Sequence, residues 1–412
     1  MAGRYALDRP GPGPIGSVAR LRRPGKDQPH HAHPRDPRPY GGVPVTDGTR
    51  PTGGTDRPDA ADEDVLFDID GHAARVTLNR PRALNALTHA MVLRVDAALT
   101  EWEHDASVRT VVLTGAGERG LCAGGDIRAI HDDARVRGGA SGPFWRDEYR
   151  LNARIARYPK PYVALMDGIV MGGGVGVSAH GSVRVVTERS RVAMPETGIG
   201  FVPDVGGTHL LARAPGELGT HLGLTGAQAG AADALLCGLA DHHVPSEALP
   251  ALLRDLARLP AEEAVRAHAT PPEPGVLAAD RGWIDACYAA ATVEEIVDRL
   301  AADGAPAAKE AAETLAGRSP TALKVTLAAL RRARRLGTLE RVLEQEYRVS
   351  RACLDSPDLV EGIRAQVVDK DRRPRWAPAT LAGVAEADVE RCFAPRGDGG
   401  LGLAPGPEDA AG

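Results

Sequence analysis

Residues 160–181 read KPYVALMDGIVMGGGVGVSAHG, and this stretch decides the fold class. Residues 161–168 form a continuous apolar run, which predicts a buried strand. Three consecutive glycines follow at 172–174, and a helix that starts on glycine comes next. Upstream, 108–115 also has the pattern of a buried strand, and a helix begins near Asp126. Strands that alternate with helices in this way predict an α/β core.

The chain before this stretch predicts two strands and a long helix. VLFDID at 65–70 and ARVTLN at 74–79 alternate in polarity, as strands do when one face is buried. Thr88 is suited to cap a helix that runs to about His104. The side chains predicted on the buried face of this helix are Met91, Val95, Leu99 and Trp102.

Composition divides the chain into four regions. Residues 1–62 are rich in Pro, Gly, Arg, Asp and His and poor in aliphatic residues, which predicts a disordered tail. The strands and glycine loops assign an α/β core to residues 63–245. Helical periodicity dominates afterwards and assigns a helical region to residues 246–395. The glycine- and proline-rich residues 396–412 predict a second flexible tail.

Charge and cysteine content exclude several classes of protein. The formal net charge of -5 argues against a general nucleic-acid binder. No apolar run of about 18 residues exists, so no membrane partner is expected. The five cysteines are scattered and form no CxxC pair, which argues against a disulfide framework or a zinc site. Because a secretory signal is also lacking, the sequence predicts a cytoplasmic location.

Three short motifs imitate known sites but lack the required context. Residues 115–120 fit the dinucleotide fingerprint GxGxxG, yet the predicted helix does not open directly on these glycines. Ser178 lies near a GxSxG pattern that lacks its final glycine, so we interpret it as a buried packing residue. Asp241, His242 and His243 have no further ligand at a suitable spacing, which favours a structural pair of histidines.

Two glycine loops lead into predicted helices. The first is CAGGDI at 122–127, and the second is MGGGVG at 171–176. The N-terminus of a helix presents free backbone N–H groups, and glycine allows a ligand to approach them. Two such ends at one point form an oxyanion hole, which stabilises negative charge on a carbonyl oxygen. Close packing of helix against strand would explain the glycines equally well.

A pair of carboxylates follows in apolar surroundings. Glu196 and Asp204 are eight positions apart in AMPETGIGFVPDVGG, which is otherwise rich in glycine and apolar residues. Burial raises the pKa of a carboxyl group, which suits acid, base or nucleophilic roles. Structural roles would also account for both residues, since Asp204 could cap the next helix and Glu196 could pair with a surface base.

These motifs, in this order, resemble the crotonase (enoyl-CoA hydratase/isomerase) superfamily. The resemblance covers about 78–376 and rests on NRPRALNALT, GLCAGGDIRAI, RDEYRLN, KPYVALMDGIVMGGGVGVSAHG, AMPETGIGFVPDVGG, SPTALKVTLAAL, LEQEYRVSRAC and EGIRAQVVDKDRRPRW. It implies an α/β fold of the ClpP/crotonase-like type, a spiral of ββα units with a helical C-terminal region. Within the superfamily, the motifs most resemble the branch that hydrolyses 3-hydroxyisobutyryl-CoA in valine catabolism.

The resemblance also implies roles for individual residues. Gly125 and Gly173 are expected to supply the two N–H groups of an oxyanion hole. Glu196 and Asp204 match the catalytic carboxylates of the hydrolase branch, and Glu148 matches a residue that contacts the acyl hydroxyl. Gly173, Glu196 and Asp204 are expected to contact the substrate as well. The residues expected to cradle the adenine and pantetheine of CoA are Arg82, Ala83, Leu84, Ala123, Asp126 and Ile127.

Gly176 distinguishes the branches of the superfamily. A hydratase needs two glutamates that hold one water, and the first of them lies at the position that is Gly176 here. Dienoyl-CoA isomerases place a further acidic residue at the same position. The sequence therefore favours hydrolysis of a short 3-hydroxyacyl-CoA. A hydratase or isomerase is the first alternative, and a non-catalytic acyl-CoA-binding protein is the second.

The expected mechanism has two versions. Glu196 either attacks the thioester carbonyl and forms a mixed anhydride, or acts as a general base on water. In the first version Asp204 assists proton transfer to the leaving group and then activates the hydrolytic water. CoA is part of the substrate, so no metal or redox cofactor is expected. The expected partner is a small-molecule acyl-CoA, and a homo-oligomer is an option.

Overall fold

In the described residues, all strands lie before Pro245 and alternate with helices, and helices dominate the part after Pro245. The computed structural model describes residues 63–397 and 399–403, so the predicted tail at 1–62 lies outside the described residues. The strands are β1 (Val65–Asp70), β2 (Ala73–Leu78), β3 (Thr110–Gly115), β4 (Tyr162–Met166), β5 (Ile169–Met171), β6 (Val183–Val186), β7 (Arg191–Ala193) and β8 (His242–His243). The helices are α1 (His89–His104), α2 (Ile127–Val136), α3 (Ser141–Ala156), α4 (Gly173–Ser178), α5 (Gly207–Ala212), α6 (Leu218–Thr225), α7 (Ala231–Leu236), α8 (Leu249–Leu256), α9 (Ala261–His268), α10 (Leu277–Tyr288), α11 (Val293–Ala302), α12 (Pro306–Ala316), α13 (Pro320–Leu336), α14 (Leu339–Cys353), α15 (Pro357–Ile363) and α16 (Glu386–Cys392). None of the helices described is both long and apolar enough to cross a membrane.

Six strands form one sheet in the order β1-β2-β3-β4-β6-β8. β1 and β2 are antiparallel, and every other neighbouring pair in this sheet is parallel. β5 and β7 pair in a separate two-stranded parallel sheet. The alternation of strands and helices confirms the predicted α/β class.

The large sheet is covered on both faces, as its strand β4 illustrates. Tyr162, Ala164 and Met166 pack into the larger apolar core, which includes the buried face of α1. Val163 and Leu165 point to the opposite face, where α8 and α9 cover them. Successive side chains of a strand point to opposite faces, so a strand covered on both sides is apolar throughout. The apolar run at 161–168 therefore predicted this strand correctly.

Two consecutive units show how the chain passes between the sheets. β4 lies in the large sheet, β5 lies in the small sheet, and α4 follows directly. β6, β7 and α5 repeat this order, with the 3-10 turn Glu196–Ile199 placed between β7 and α5. We call this segment the Glu196 turn. These are ββα units of the kind that the resemblance implies, with the helical region after them.

The helix α1 forms for the reason that the sequence suggests. The hydroxyl of Thr88 accepts the N–H of Met91 at 3.2 Å, which caps the first turn. The buried side chains of α1 are Met91, Val92, Val95, Leu99 and Trp102, which include all four that periodicity predicts. The predicted start, end and buried face of this helix are confirmed.

The helical C-terminal region contacts the Glu196 turn directly. The N–H of Ser319, just before α13, donates to the carbonyl of Thr197 at 3.3 Å. Gly362 of α15 lies so close to Ile199 that a Cβ atom at Gly362 would collide with the backbone of Ile199. The region after Pro245 therefore supports the segment that carries a predicted catalytic carboxylate.

The packed part of the chain extends past the predicted boundary at 395. Leu401 is fully buried. Its N–H donates to the carboxylate of Glu344, and its carbonyl accepts from Arg150. Leu401 therefore differs from the loose tail that composition predicts for 396–412.

We expect Gly362→Ala to destabilise the protein. The added methyl group has to displace the backbone of Ile199, and overpacking of this kind costs about 1–3 kcal/mol. Urea unfolding followed by circular dichroism measures the change. Gly282→Ala in α10 is the matched control, because within the described residues no atom outside its own stretch of helix lies within 4 Å of the added Cβ. A helical Gly→Ala change in open space stabilises by up to about 1 kcal/mol. Equal stability gains in both variants would contradict the close contact.

Candidate active site

One cavity of about 280 Å³ collects most of the predicted site residues. The predicted residues that line it are Ala123, Gly125, Ile127, Glu148, Gly173, Glu196 and Asp204. Its apolar walls include Ile130, Phe144, Trp145, Phe201 and Leu359. The rings of Trp145 and Phe201 are stacked with their centroids 5.3 Å apart. A few converging polar groups within apolar walls are typical of a small-molecule site.

Two backbone N–H groups in the cavity are free to bind a ligand. Gly125 and Gly173 both line the cavity, and in the described part of the chain neither N–H has a hydrogen-bond acceptor. The two glycines are neighbours, since a Cβ atom at Gly173 would lie 3.2 Å from the nitrogen of Gly125. Two N–H groups that converge in this way can donate to one oxygen, as an oxyanion hole requires.

Glu196 and Glu148 lie against successive glycines of the loop 171–176. A Cβ atom at Gly172 would lie 3.0 Å from Oε1 of Glu196, and one at Gly173 would lie 2.6 Å from Oε1 of Glu148. Glu196 is 6% exposed and Glu148 is 2% exposed. Oε2 of Glu196 and Oε1 of Glu148 have no hydrogen-bond partner among residues 63–397 and 399–403. Glycine at both positions leaves room for two carboxyl groups beside the free N–H groups.

Burial raises the pKa of all three carboxyl groups in the cavity. The pKa values of Glu148 and Glu196 lie well above the usual range, first because of desolvation and then because of the charge of Asp204. Desolvation raises the pKa of Asp204 to about 7, although a hydrogen bond from Tyr149 lowers it. The three groups therefore do not all ionise at neutral pH. One of them can hold a proton while another carries the charge.

A chain of buried hydroxyl groups orients Asp204. Tyr149 of α3 donates to Oδ2 of Asp204 at 2.6 Å, and its oxygen lies 2.7 Å from Oγ of Ser350. Because the Tyr149 proton is used, Ser350 is the donor in the second bond. In the part of the chain described, Asp204 does not cap α5 with its side chain, and no base pairs with Glu196. Neither structural alternative for the pair is therefore found.

The backbone directly after Asp204 is strained. Val205 has a φ of 53°, a left-handed conformation that is rare for a β-branched residue. Burial lowers the pKa of His180 to about 4, so its ring is neutral at physiological pH. Its Nε2 lies 2.8 Å from the carbonyl oxygen of Val205, which can only accept, so Nε2 carries the proton and donates. Strain of this kind clusters at functional sites.

Glu346 of α14 holds the other side of the same turn. Its carboxylate accepts the N–H of Gly206 at 2.6 Å, and the N–H and hydroxyl of Thr208 at 2.9 and 2.5 Å. These N–H groups lie at the start of α5. Glu346 therefore caps this helix, which is the structural role that was an alternative for Asp204. Burial raises the pKa of Glu346 to about 8 despite the hydrogen bonds.

The strained turn also explains the glycine at 176. A Cβ atom at Gly176 would lie 2.6 Å from Cβ of Val205 and 2.9 Å from Nδ2 of Asn152. Val205 is fixed by its turn, and Asn152 is fully buried. A glutamate side chain at 176 therefore has no room, which excludes the first water-binding glutamate expected of a hydratase.

The predicted CoA-binding residues come from two adjacent segments. Ala123 and Ile127 line the cavity, and the N–H of Ala123 donates to the carbonyl of Leu84 at 3.0 Å. Arg82 and Ala83 are exposed in the short 3-10 helix before Leu84. Asp126 does not line the cavity: its carboxylate caps α2 and forms an ion pair with Arg80 at 3.1 Å.

The three short motifs that imitate known sites, at 115–120, at Ser178 and at 241–243, have structural explanations. α2 begins only at Ile127, so the glycines at 115–120 do not open a helix. Ser178 is fully buried and uses its hydroxyl within α4, which confirms it as a packing residue. Asp241 forms an ion pair with Arg184, and β8 carries the two histidines. Within the described ranges, no three His, Cys, Asp or Glu side chains are grouped as metal ligands.

Three residues that shape the site were not predicted: Tyr149, His180 and Glu346. The sequence contains a signal for Glu346, because it lies on the face of α14 whose other positions are Val342, Leu343 and Val349. A charged residue on an apolar helix face is seldom buried without partners. Tyr149 and His180 carry no such signal, since both residue types are found at the surface and in the interior.

A sequence model of the enoyl-CoA hydratase/isomerase family matches residues 73–393. A protein of Danio rerio named mitochondrial 3-hydroxyisobutyryl-CoA hydrolase is 45% identical over 344 residues, which cover 81% of this chain and 90% of that one. Seven further proteins with 40–42% identity carry the same name.

Two crystal structures share the fold over most of the chain. One, titled a carnitinyl-CoA dehydratase from Mycobacterium thermoresistibile, is 57% identical with a TM-score of 0.80, and covers 82% of this chain and 98% of that one. The other, titled an enoyl-CoA hydratase from Rhodobacter sphaeroides 2.4.1, is 44% identical with a TM-score of 0.79, and covers 83% and 100%. The predicted fold is confirmed.

The predicted cytoplasmic location is wrong, because the curated hydrolases that resemble this chain are all named as mitochondrial. That prediction rested mainly on the scattered cysteines, which favour a reducing compartment. They do not distinguish the cytoplasm from another reducing compartment, so the composition carried no information on this point.

We expect Tyr149→Phe to raise the pKa of Asp204. The tyrosine hydroxyl donates to the ionised carboxylate and stabilises it, so its removal favours the protonated form. Hydrogen bonds to charged groups contribute about 1.5–3 kcal/mol, which corresponds to an upward shift of about one unit or more. Carbon-13 NMR titration of labelled aspartate carboxyls measures it. Tyr347→Phe is the control, because this neighbouring hydroxyl bonds to Arg351 and not to Asp204. An unchanged Asp204 titration in Tyr149→Phe would contradict the network.

We expect Glu346→Gln to destabilise the turn after Asp204. A glutamine has one accepting oxygen, so either Gly206 or Thr208 keeps a buried N–H without an acceptor. Such a group costs about 1–3 kcal/mol. Urea unfolding gives the loss, and hydrogen exchange at the two amides locates it. Glu344→Gln on the same helix serves as the control, since its carboxylate bonds to Leu401 instead. Protected amides in Glu346→Gln would refute the capping role.

Proposed function

The chain belongs to the enoyl-CoA hydratase/isomerase family, and we propose that it hydrolyses the thioester of 3-hydroxyisobutyryl-CoA or of a related short 3-hydroxyacyl-CoA. The products are the free 3-hydroxy acid and CoA. The similar proteins named as this hydrolase match 80–83% of the chain, and this extent supports the proposal.

The observation that carries the proposal is the set of carboxyl groups around two free N–H groups. Glu196 lies beside the glycine turn, and Asp204 lines the same cavity. Position 176 has no room for a further carboxylate. A site of this composition suits attack on a carbonyl carbon. It suits hydration less well, because that reaction needs glutamates at both 176 and 196 to hold one water.

The first step is the attack of Glu196 on the thioester. The N–H groups of Gly125 and Gly173 donate to the carbonyl oxygen and stabilise its growing negative charge. Donors of this kind typically contribute about a hundredfold to a thousandfold each. The Glu196 carboxylate bonds to the carbonyl carbon, the carbon–sulfur bond breaks, and a mixed anhydride forms. Asp204 takes up the proton of Glu196 as Glu196 attacks, and passes this proton to the departing CoA thiolate.

The second step returns the enzyme to its starting state. The ionised Asp204 takes a proton from a water molecule, and the resulting hydroxide opens the anhydride. The carboxylate of Glu196 is released together with the 3-hydroxy acid. In the alternative version, Glu196 takes the proton from water, which attacks the thioester directly. Both versions use the same residues and no metal or redox cofactor.

Glu148 is proposed to select the 3-hydroxyl group. Its Oε1 is buried beside Gly173 without a partner in the described part of the chain. A hydroxyl two carbons from the thioester carbonyl is a suitable partner for it. A site built around such a bond rejects acyl groups that lack the hydroxyl, because the carboxyl would stay unpaired. The backbone at 82–84 and 123–127 is proposed to hold the CoA moiety.

Reversible hydration of an enoyl-CoA is the second candidate. It is favoured by Glu148 and Glu196, which flank the same glycine turn as two glutamates, and by the titles of the two similar crystal structures. The two activities differ in their products, since only hydrolysis releases a thiol. Thiol detection with DTNB, alongside the ultraviolet absorbance of a conjugated thioester, decides between them. A non-catalytic acyl-CoA-binding protein would change neither signal.

We expect Glu196→Gln to abolish thiol release. Glutamine keeps the shape of the side chain but is neither a nucleophile nor a base. Glu196→Asp moves the attacking oxygen by one methylene, which costs on the order of a hundredfold. The DTNB assay with 3-hydroxyisobutyryl-CoA measures both, and calorimetry with an inert CoA thioether tests that binding persists. Glu118→Gln, on the exposed surface, is the control. Near wild-type turnover in Glu196→Gln would refute both versions of the mechanism.

Single-turnover hydrolysis in oxygen-18 water tests for the anhydride. Label found in Glu196 after one turnover establishes the covalent intermediate, because water reaches this carboxyl only by opening an anhydride.

A further inference from the structure

Arg318 is the only basic residue that lines the cavity within the described ranges. It lies just before α13, and its guanidinium contacts the Glu196 turn at Gly198. Its Nη2 donates to the carbonyl of Thr225. A Cβ atom at Gly198 would collide with its Nη1, so the glycine makes room for the guanidinium.

Two nitrogens of the Arg318 guanidinium have no hydrogen-bond acceptor in the described residues. Its Nε is buried without an acceptor, and its Nη1 makes no hydrogen bond with any residue of 63–397 or 399–403. No carboxylate in these ranges forms an ion pair with it. Burial lowers the pKa of Arg318, and no acidic group offsets this effect. A desolvated cation without a counter-ion is unfavourable, so such groups usually have a partner.

The carboxyl groups of the cavity are not that partner. The pKa values of Glu148, Glu196 and Asp204 are all raised, and no arginine contributes to lowering any of them. The cavity therefore has an acidic side at the glycine turn and a separate cationic point beside Gly198. The 3-hydroxyisobutyryl group carries no charge that could neutralise this point.

We propose that Arg318 binds a carboxylate on the acyl group, so that the chain also accepts short 3-hydroxyacyl-CoA thioesters with an acidic acyl chain. Arg318 touches Gly198, which belongs to the same four-residue turn as Glu196. The charge it binds is therefore close to the reacting thioester. The phosphates of CoA are separated from the thioester by the whole pantetheine arm, and the segments proposed to hold CoA are elsewhere. This inference rests on the proposed hydrolysis.

The test compares two substrates of equal length that differ in charge, 3-hydroxyglutaryl-CoA and 3-hydroxyvaleryl-CoA. We expect Arg318→Met to lower kcat/KM for the first by about tenfold to a hundredfold, as loss of a charge-assisted hydrogen bond does. The second should change by less than about threefold, within the ordinary spread of a neutral contact. Arg318→Lys should restore part of the activity towards 3-hydroxyglutaryl-CoA. Arg335→Met, which removes a charge from the exposed face of α13, should leave both substrates unchanged.

Binding measurements separate this inference from the proposed reaction. S-(4-carboxybutyl)-CoA and S-pentyl-CoA are thioethers that cannot be hydrolysed, and calorimetry gives their Kd values. Arg318→Met should weaken only the carboxylated thioether, even if no thioester releases thiol and the hydrolase proposal fails. Equal weakening of both thioethers and of free CoA would assign Arg318 to the phosphates and overturn the inference. Unchanged Kd values in Arg318→Met would overturn it as well.

Discussion

The backbone of Val205 is the constraint on which the cavity depends. A β-branched residue in the left-handed region is unfavourable by roughly 1–3 kcal/mol, so its surroundings have to hold it there. His180 and Glu346 do so from opposite sides of the turn. The same turn positions Asp204 and fills the space that a side chain at 176 would need. One local conformation therefore decides both which carboxylates the cavity contains and which one it excludes.

Charge is distributed unevenly around the cavity, because desolvation disfavours the ionised form of every buried carboxyl group. Desolvation raises the pKa of Glu148, Glu196 and Asp204, and the charge of Asp204 raises the pKa of both glutamates further, so protons are shared among the three groups and the net charge there stays low. Backbone N–H groups supply positive potential at the same place without adding a titratable cation. A lysine or arginine at that position would hold the carboxyls ionised and remove their capacity to exchange protons. The cation of the cavity instead lies beside Gly198, where no carboxyl contributes to its pKa.

Much of the framework follows from local sequence, but the residues that tune the site do not. Thr88 and the apolar periodicity after it define α1, and the run at 161–168 defines β4, because capping and burial act within a few residues. The glycine loops and the carboxylate pair were also recognisable in the sequence. Tyr149 and Ser350 are 201 positions apart and meet only through packing of α3 on α14. Such contacts depend on tertiary geometry, and no pattern within either helix predicts them.

The support of the Glu196 turn by α13 and α15 sets an order of events during protein synthesis. Glu196 and Asp204 leave the ribosome well before Arg318, Glu346 and Gly362, which complete their surroundings. At about 5–20 residues per second, the interval between Asp204 and Gly362 is roughly 8–32 s. During this time the turn after Asp204 has no carboxylate to accept its N–H groups, and apolar walls such as Phe201 lack their C-terminal cover. A nascent chain at this stage lacks part of the packing that supports the cavity, so catalytic competence arises only after Gly362 has been synthesised.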